Sequence, residues 1–297
     1  MSRNMGSRDA VTSKKKKRII VLAVVAAVLL ALMIWTAWGN GALELTTYAI
    51  ASEKLPKTFD GYRIAHISDL HNAQFGDGNE KLLAMLREAE PDIIAITGDL
   101  IDSRNTDIGI ALHFAEEAVK IAPCYYVTGN HEARVPAYDA LKDGLLELGI
   151  IVLEDERADL EISGEHITLL GVNDPSFLAD PANEEALMQS KLQKLMNGAE
   201  NYTILLSHRP ELLELYAESD ADLVLCGHAH GGQFRLPLVG GLVAPNQGLF
   251  PKYDAGVYTE GNTNMVVSRG IGNSLFPFRF NNRPEVILIE LIQKNCF

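Results

Sequence analysis

Five short segments of this sequence place metal-binding side chains directly after apolar runs. They are Asp69-Leu70-His71, Gly98-Asp99, Gly129-Asn130-His131-Glu132, Ser207-His208 and Gly227-His228-Ala229-His230. Their carboxylate, amide and imidazole groups are ligands for divalent cations such as manganese, iron and zinc. Together they provide enough ligands for two cations that share a bridging side chain. Such a pair of cations can catalyse metal-assisted hydrolysis.

The apolar runs before these segments read as buried parallel strands. Each run is short and ends in small or polar residues, as expected where a strand enters a loop. Ligands of parallel α/β sheets bind at the carboxyl ends of the strands. We therefore expect the five segments to meet at one edge of the fold.

The spacing of apolar residues predicts two groups of strands that are covered by helices. Asn79 is predicted to cap a helix that buries Leu82, Leu83, Leu86 and Ala89 on one face. Strands are predicted at residues 62–68, 92–97, 125–128, 150–153, 160–163, 167–172, 202–206, 222–226, 265–268 and 286–291. Residues 160–163 and 167–172 have the spacing of a hairpin. The order predicts an α/β fold, a four-layer α/β/β/α sandwich.

The first 40 residues differ in composition from the rest of the chain. A basic cluster, residues 14–18, precedes residues 19–38, which carry no charge. A helix of that length spans roughly 30 Å, the thickness of a bilayer's hydrocarbon core. The basic residues place the N-terminus in the cytoplasm and the remainder outside, as a single-pass protein of the cell membrane. A cleavable signal peptide is the alternative, but the long apolar run favours an uncleaved signal anchor.

Four segments are therefore predicted along the chain. They are a basic cytoplasmic tail (1–18), a transmembrane signal anchor (19–38), a connector (39–60) and a catalytic domain (61–297). The chain carries a net charge of −13 and its first 18 residues carry +6, so the remainder carries −19. Such a domain repels nucleic acid, which is excluded as a partner. A phosphate group can bind only where a local positive centre exists, and bound metal supplies one. The sequence leaves the oligomeric state open.

The five segments differ in how specific they are. The pair His228 and His230, flanked by glycines after an apolar run, has little structural use and favours metal binding. Asn130 offers a neutral carbonyl ligand, although an asparagine in this position is often only a helix cap. Asp99 has two oxygens and could bridge two metals. His131 points away from its neighbour and is able to move protons.

The order of these motifs resembles the calcineurin-like metallophosphoesterase family. The runs Ile67-Ser68-Asp69-Leu70-His71 and His230-Gly231-Gly232-Gln233 are similar to its membrane-associated bacterial phosphodiesterase branch. The similarity covers roughly residues 55–292. It implies a hydrolase that acts on phosphoric ester bonds and cleaves phosphodiesters by attack of a metal-bridging hydroxide.

The resemblance also implies a role for each candidate residue. Asp69, His71 and His230 would hold one metal, Asn130, His208 and His228 would hold the other, and Asp99 would bridge the two. His131 would be the general acid that protonates the leaving group. Glu132 would lie behind the ligands and orient His131.

Two alternatives and the choice of substrate stay open. A pyrophosphatase acting on a lipid-linked sugar nucleotide such as UDP-diacylglucosamine would also benefit from an anchor, although it would ordinarily need the cytoplasmic face. A non-catalytic scaffold on the same fold is opposed by the complete set of ligands. Loops such as 72–79 and 236–258 determine which phosphoester is the substrate, whether or not it is linked to a lipid or to the cell envelope. Arg209 and Arg269, beside the motifs, are expected to form surface ion pairs rather than to contact phosphate.

Overall fold

A computed structural model describes residues 5–273 and 275–294 of the protein. Its helices are α1 (Met5–Gly41), α2 (Glu80–Ala89), α3 (Ile108–Ala118), α4 (Tyr138–Glu147), α5 (Glu184–Met196) and α6 (Leu213–Glu218). Its strands are β1 (Glu44–Ser52), β2 (Arg63–Ile67), β3 (Ile93–Thr97), β4 (Cys124–Val127), β5 (Ile151–Val152), β6 (Glu156–Ile162), β7 (Glu165–Gly171), β8 (Thr203–Leu206), β9 (Leu223–Cys226), β10 (Arg235–Leu236), β11 (Gly240–Gly241), β12 (Val243–Ala244), β13 (Gly248–Leu249), β14 (Gly256–Glu260), β15 (Thr263–Val267) and β16 (Glu285–Gln293).

Two six-stranded sheets form the centre of the fold. The first sheet has the order β1-β16-β2-β3-β4-β5, and its strands β2 to β5 run parallel. The second sheet has the order β14-β15-β9-β8-β7-β6, with β7, β8, β9 and β15 parallel and an antiparallel strand at each edge. The predicted hairpin of β6 and β7 is confirmed.

Alternation along the central strands divides their side chains between two apolar layers. In β2, Ile64 faces the layer between the sheets, while Ala65 and Ile67 face the helices. In β3, Ile93 and Ile94 divide in the same way. Because successive side chains of a strand point to opposite faces, strands buried on both sides need apolar residues at nearly every position. This is why the strands read as continuous apolar runs.

Helices cover the outer faces of both sheets. Phe114 of α3 and Leu141 of α4 pack on the first sheet with α2, and Met188 of α5 and Tyr216 of α6 pack on the second. The layers are therefore helix, sheet, sheet and helix, and the predicted four-layer α/β/β/α sandwich is confirmed.

The loop before α2 departs from the predicted cap. Leu82, Leu83, Leu86 and Ala89 form the buried face of α2, as expected. Asn79 makes no cap hydrogen bond. Its side chain instead accepts from the Phe75 amide and donates to the Ala73 carbonyl, because it closes the preceding loop from a buried position.

The predicted connector contains a strand that the sequence did not reveal. Residues 44–52 form β1, which pairs with β16 over nine residues at the edge of the first sheet. Only Ala42 and Leu43 separate this strand from α1. The apolar part of α1, Lys15–Gly41, is long and apolar enough to cross a membrane. The helix therefore leads almost directly into the sheet.

Candidate metal centre

The strand ends of both sheets bring all seven predicted ligands to one edge of the molecule. Asp69 and His71 follow β2, Asp99 follows β3 and Asn130 follows β4. His208 follows β8, while His228 and His230 follow β9. All seven side chains are buried, with exposed fractions between 0% and 6%.

The first group of ligands consists of Asp69, His71 and His230. His230 Nε2 lies 3.4 Å from Asp69 Oδ1, and His71 Nε2 lies 3.8 Å from the same oxygen. The two Nε2 atoms are 3.2 Å apart. One carboxylate oxygen and two imidazole nitrogens thus face a common point.

The second group consists of Asp99, His208 and His228. His208 Nε2 lies 3.3 Å from Asp99 Oδ2 and 3.2 Å from His228 Nδ1. His208 Nδ1 lies 2.7 Å from the Thr97 carbonyl, so Nδ1 carries the proton. The Nε2 lone pair is therefore available to a cation.

Asp99 connects the two groups through a single oxygen. Its Oδ2 lies 3.4 Å from His71 Nε2 and 3.3 Å from His208 Nε2. Its Oδ1 accepts a hydrogen bond of 2.8 Å from the His131 amide. Because that bond orients the carboxylate, Oδ2 points at both groups.

This arrangement fits two divalent cations. In each group two ring nitrogens lie 3.2 Å apart beside a carboxylate oxygen, a spacing that suits ligands of one cation. Asn130 Oδ1 is buried and has no hydrogen-bond partner among the described residues. A buried orphan acceptor is rare unless it serves a ligand. The oxygen and nitrogen ligands suit manganese, iron or zinc.

The pKa values in the centre follow from burial and opposing charge. Burial raises the pKa of Asp69, but His230 and His71 more than offset it and hold that pKa below its usual range. Burial lowers the pKa of His208, yet Asp99 and Asp69 raise it to about 10. The two carboxylates are therefore ionised at neutral pH and present negative charge to a cation.

The backbone at these ligands is strained. Five of the seven ligands have a positive φ: Asp69 (54°), His71 (46°), Asp99 (52°), His228 (66°) and His230 (48°). Each such residue costs roughly 1–2 kcal/mol relative to ordinary backbone. Strain of this kind concentrates at functional sites, where the surrounding structure holds it in place.

His131 lies beside the ligands with a defined pattern of hydrogen bonding. Its Nδ1 accepts a hydrogen bond of 2.9 Å from the Ser103 amide. Burial lowers the pKa of His131 to about 4. Because the Ser103 amide donates to Nδ1, the neutral form of the ring carries its proton on Nε2.

Glu132 lies behind the candidate ligand Asp99, as the resemblance implies, and its effect on the orientation of His131 stays a prediction. Its carboxylate accepts from the amides of Asp99, Gly129 and Ile101, at 2.9, 2.8 and 3.3 Å. Burial and the nearby Asp99 raise the pKa of Glu132 to about 7. Glu132 thus ties the loop after β3 to the loop after β4.

The two arginines beside the motifs form ion pairs, but they are not surface residues. Arg209 is 5% exposed and binds Asp174 through two nitrogens, at 2.5 and 2.9 Å. Arg269 is largely buried and pairs with Glu285 and Glu44, at 2.7 and 3.0 Å. The expectation of surface pairs is wrong because the main carboxylate partners, Asp174 and Glu285, are themselves buried.

Sequence reasoning missed two residues next to the centre. Asp174 is fully buried against Arg209. Arg279 is 1% exposed and places Nη2 3.3 Å from His230 Nδ1. The only signal for Arg279 is its position between Phe278 and Phe280, which suggests a buried segment.

A cleft of about 250 Å³ opens onto the centre. One side carries Ser103, Arg104 and Arg134, and the other carries Pro245 and Leu275. Asp99, Asn130, His131, His228 and His230 line its floor. A molecule in the cleft would meet the candidate ligands and His131 together.

This chain is similar to several known proteins. Residues 62–232 match the calcineurin-like phosphoesterase family. The uncharacterized metallophosphoesterase YkuE of Bacillus subtilis is 30% identical over 85% of this chain and 87% of its own length. Phosphodiesterase YaeI of Escherichia coli is 28% identical over 78% and 82%. A Danio rerio protein named transmembrane protein with metallophosphoesterase domain is 30% identical over 82% of this chain and 56% of its own. The solved structure of TT1561 of Thermus thermophilus aligns with a TM-score of 0.49 at 16% identity, over 70% of this chain and 89% of that one.

The chain belongs to the calcineurin-like phosphoesterase family. It is a hydrolase that acts on phosphoric ester bonds, so the predicted class of enzyme is confirmed. The family uses divalent metals, and this chain has two buried groups of residues able to hold them. The apolar helix and the transmembrane names of relatives indicate association with a membrane. The role of each individual residue stays a prediction.

Proposed function

We propose that this protein is a membrane-anchored phosphodiesterase with a dinuclear metal centre. One observation carries the proposal: two buried groups of ligands are joined by a single oxygen of Asp99. Asp69, His71 and His230 would hold one cation, and Asn130, His208 and His228 the other. Cations held there would lower the pKa of water and neutralise charge that develops on the phosphate oxygens.

The residues around the centre divide the remaining work. In hydrolysis, the oxygen of water bonds to phosphorus, one P–O ester bond breaks and the leaving oxygen takes up a proton. His131 lines the cleft, and the Ser103 hydroxyl lies 3.2 Å from its Nδ1, where it can accept from a ring that is protonated on both nitrogens. We assign the imidazolium form of His131 as the donor of that proton, and the transfer leaves the ring neutral. Arg134 adds positive charge to the lining of the cleft, where it attracts an anionic ester, whereas the charge of Arg104 is paired with Asp102 at 2.7 Å.

Two considerations support a diester substrate and an extracytoplasmic site. The Escherichia coli relative is named a phosphodiesterase. Residues 14–18 are basic and precede the span, so residues 1–18 would be cytoplasmic, residues 19–38 would cross the membrane and the catalytic domain would lie outside. Protease added to intact cells should then cleave the domain, and its protection would reverse the orientation.

The test of the reaction uses the full-length protein in detergent with Mn²⁺. We expect a p-nitrophenyl phosphodiester to be hydrolysed at least about tenfold faster than p-nitrophenyl phosphate. For esters with poor leaving groups, general acid catalysis should contribute a further factor of roughly 10²–10⁴ to the rate. His131→Ala should therefore slow a diester with an alkyl leaving group far more than one with a p-nitrophenyl leaving group, which needs no proton. His166→Ala serves as the matched control. His166 lies at the start of β7, whereas the candidate ligands follow the ends of their strands. Absence of diester hydrolysis would overturn the function, and equal slowing of both esters would overturn the role of His131.

A further inference from the structure

An apolar groove lies directly beside the candidate metal centre. It has a volume of about 200 Å³ and is lined by Val243, Ala244, Pro245, Leu275 and Phe276, with His230 and Gln233 at one wall. The amide nitrogen of Gln233 donates to the carbonyl of Phe278 at 2.6 Å. Because that amide group is already engaged, the groove presents a mainly hydrocarbon surface.

The groove and the catalytic cleft are continuous. His230, Pro245 and Leu275 line both of them. A molecule whose phosphate lies at the metal centre can therefore extend an apolar arm into the groove. Ser103 and Arg134, which line the cleft but not the groove, suit a polar or anionic arm. The cleft is complementary to an amphipathic phosphodiester.

The other end of the groove reaches the membrane helix. Residues 275–278, which we call the apolar loop, continue from the groove to α1. Pro277 and Phe278 share an open cavity of about 640 Å³ with one face of the helix, formed by Leu29, Leu32, Met33, Thr36, Ala37 and Asn40. Asn40 fixes this contact through two hydrogen bonds with the backbone of Arg279, at 2.7 and 2.8 Å.

This contact places the apolar loop at the depth of the bilayer. Residues 29–37 cover about 12 Å of helix axis and belong to the outer half of the span 19–38. Leu275 is 74% exposed and Phe278 is 46% exposed, which is unfavourable in water and favourable in lipid. Trp38 lies under the Arg283 guanidinium at 5.3 Å, an arrangement suited to the membrane–water interface.

We propose that the groove holds the hydrocarbon arm of a phosphodiester lipid that enters from the bilayer crossed by α1. This inference rests on the proposed function, because it names the substrate class of the same centre. The bilayer is the source because the apolar loop contributes Leu275 and Phe276 to the groove and Pro277 and Phe278 to the cavity beside the membrane helix. The reaction is unchanged: water adds to phosphorus and one P–O ester bond breaks, which gives an alcohol and a phosphomonoester.

The first test compares two soluble esters on the full-length protein with Mn²⁺. p-Nitrophenyl methyl phosphate and p-nitrophenyl hexyl phosphate share one leaving group and differ only in the apolar arm. Each fully buried methylene contributes about fourfold, so partial burial of the hexyl arm should raise kcat/KM about tenfold or more. Leu275→Gln should reduce that preference toward unity. Leu146→Gln, an exposed leucine on α4, is the matched control and should keep it.

The outcomes of this test separate the two proposals. Hydrolysis of neither ester would overturn the proposed function together with the lipid substrate. Equal hydrolysis of the two esters would overturn the lipid substrate alone. A hexyl preference that survives in Leu275→Gln would overturn the assignment of the hydrocarbon arm to the groove.

The second test measures the depth of the apolar loop without any reaction. The two native tryptophans are replaced by Trp35→Phe and Trp38→Phe, and Phe278→Trp then provides a single probe. In vesicles of phosphatidylcholine, lipids brominated on their acyl chains should quench this tryptophan strongly. A probe at Leu146→Trp should not be quenched. Equal quenching at the two positions would overturn entry from the bilayer.

Discussion

The two sheets contribute different chemistry to the candidate metal centre. The strand ends of the first sheet supply both carboxylates, the amide and one imidazole, on Asp69, Asp99, Asn130 and His71. Those of the second sheet supply imidazoles alone, on His208 and His228 and on His230. Each group of ligands draws on both sheets. The centre therefore exists only where the sheets pack together.

The supports behind the ligands differ in the same way. The first sheet uses the Glu132 carboxylate, which accepts from three backbone amides. The second sheet uses the buried pair of Arg209 and Asp174, and Arg209 Nη1 also lies 3.4 Å from His228 Nε2. Hydrogen bonds to backbone set the shape of a loop, whereas a buried ion pair is costly to disrupt. We expect damage to the first support to weaken metal binding and damage to the second to reduce stability.

The largest effect is expected at the ligand that both groups share. Asp99→Asn keeps the shape of the side chain but leaves one neutral oxygen, so both cations should be lost and diester hydrolysis should fall on the order of 10³-fold. His228→Ala, which affects the second group only, should retain one cation. Metal content after gel filtration and the rate of diester hydrolysis measure the difference. Asp139→Asn, on the exposed side of α4, is the matched control. Equal loss of metal from Asp99→Asn and His228→Ala would contradict the bridging role of Asp99.

The second largest effect is expected at the support of the second sheet. Arg209→Met removes the partner of Asp174, which is 0% exposed, and leaves a buried charge uncompensated. The free energy of unfolding should fall by about 3–5 kcal/mol. Denaturant unfolding of the metal-free protein measures it. Arg157 is an exposed arginine on β6, and Arg157→Met should change the free energy of unfolding by less than about 0.5 kcal/mol. A similarly small loss in Arg209→Met would show that the pair of Arg209 and Asp174 does not support the second sheet.

The metal centre could be predicted from the sequence because its signals are local. Each ligand lies within a few residues of a strand end, and the strands are apolar enough to be recognised by composition. The positive φ of Asp69, Asp99 and the histidines after β9 could not be predicted, because it results from packing between loops. Strand β1 was missed since polar residues such as Thr46 and Thr47 are tolerated at a sheet edge.

The groove and its connection to the membrane could not be predicted at all. The groove is assembled from residues near 230–233, 243–245 and 275–276, which share no period and no motif. Arg279 and Asn40, which join α1 to the domain, lie 239 residues apart. Contacts of this kind arise only in the folded chain, so a sequence reading defines the reaction class better than it defines the substrate.

Removal of metal should have a smaller effect on stability than loss of the buried pair. A cation present at about 10 times its dissociation constant stabilises the folded state by about 1.4 kcal/mol, so two cations contribute about 2.8 kcal/mol. Chelation should therefore lower the Tm of the catalytic domain by roughly 5–10 °C. Differential scanning calorimetry of the full-length protein with and without chelator measures the shift. Asp99→Asn should show little response, and a wild-type Tm insensitive to chelator would mean that metal does not link the sheets.

The smallest effect is expected at the support of the first sheet. Glu132→Gln keeps one oxygen to accept from the backbone amides, but its NH2 group meets donors where the carboxylate offered a second acceptor. The Asp99 and Asn130 loops should shift slightly apart, and the affinity for Mn²⁺ should fall about 10- to 100-fold. Isothermal titration calorimetry measures the affinity, with Glu147→Gln on the exposed end of α4 as the control. If Glu132→Gln reduced stability as much as Arg209→Met while binding metal normally, the two supports would not differ as the structure indicates.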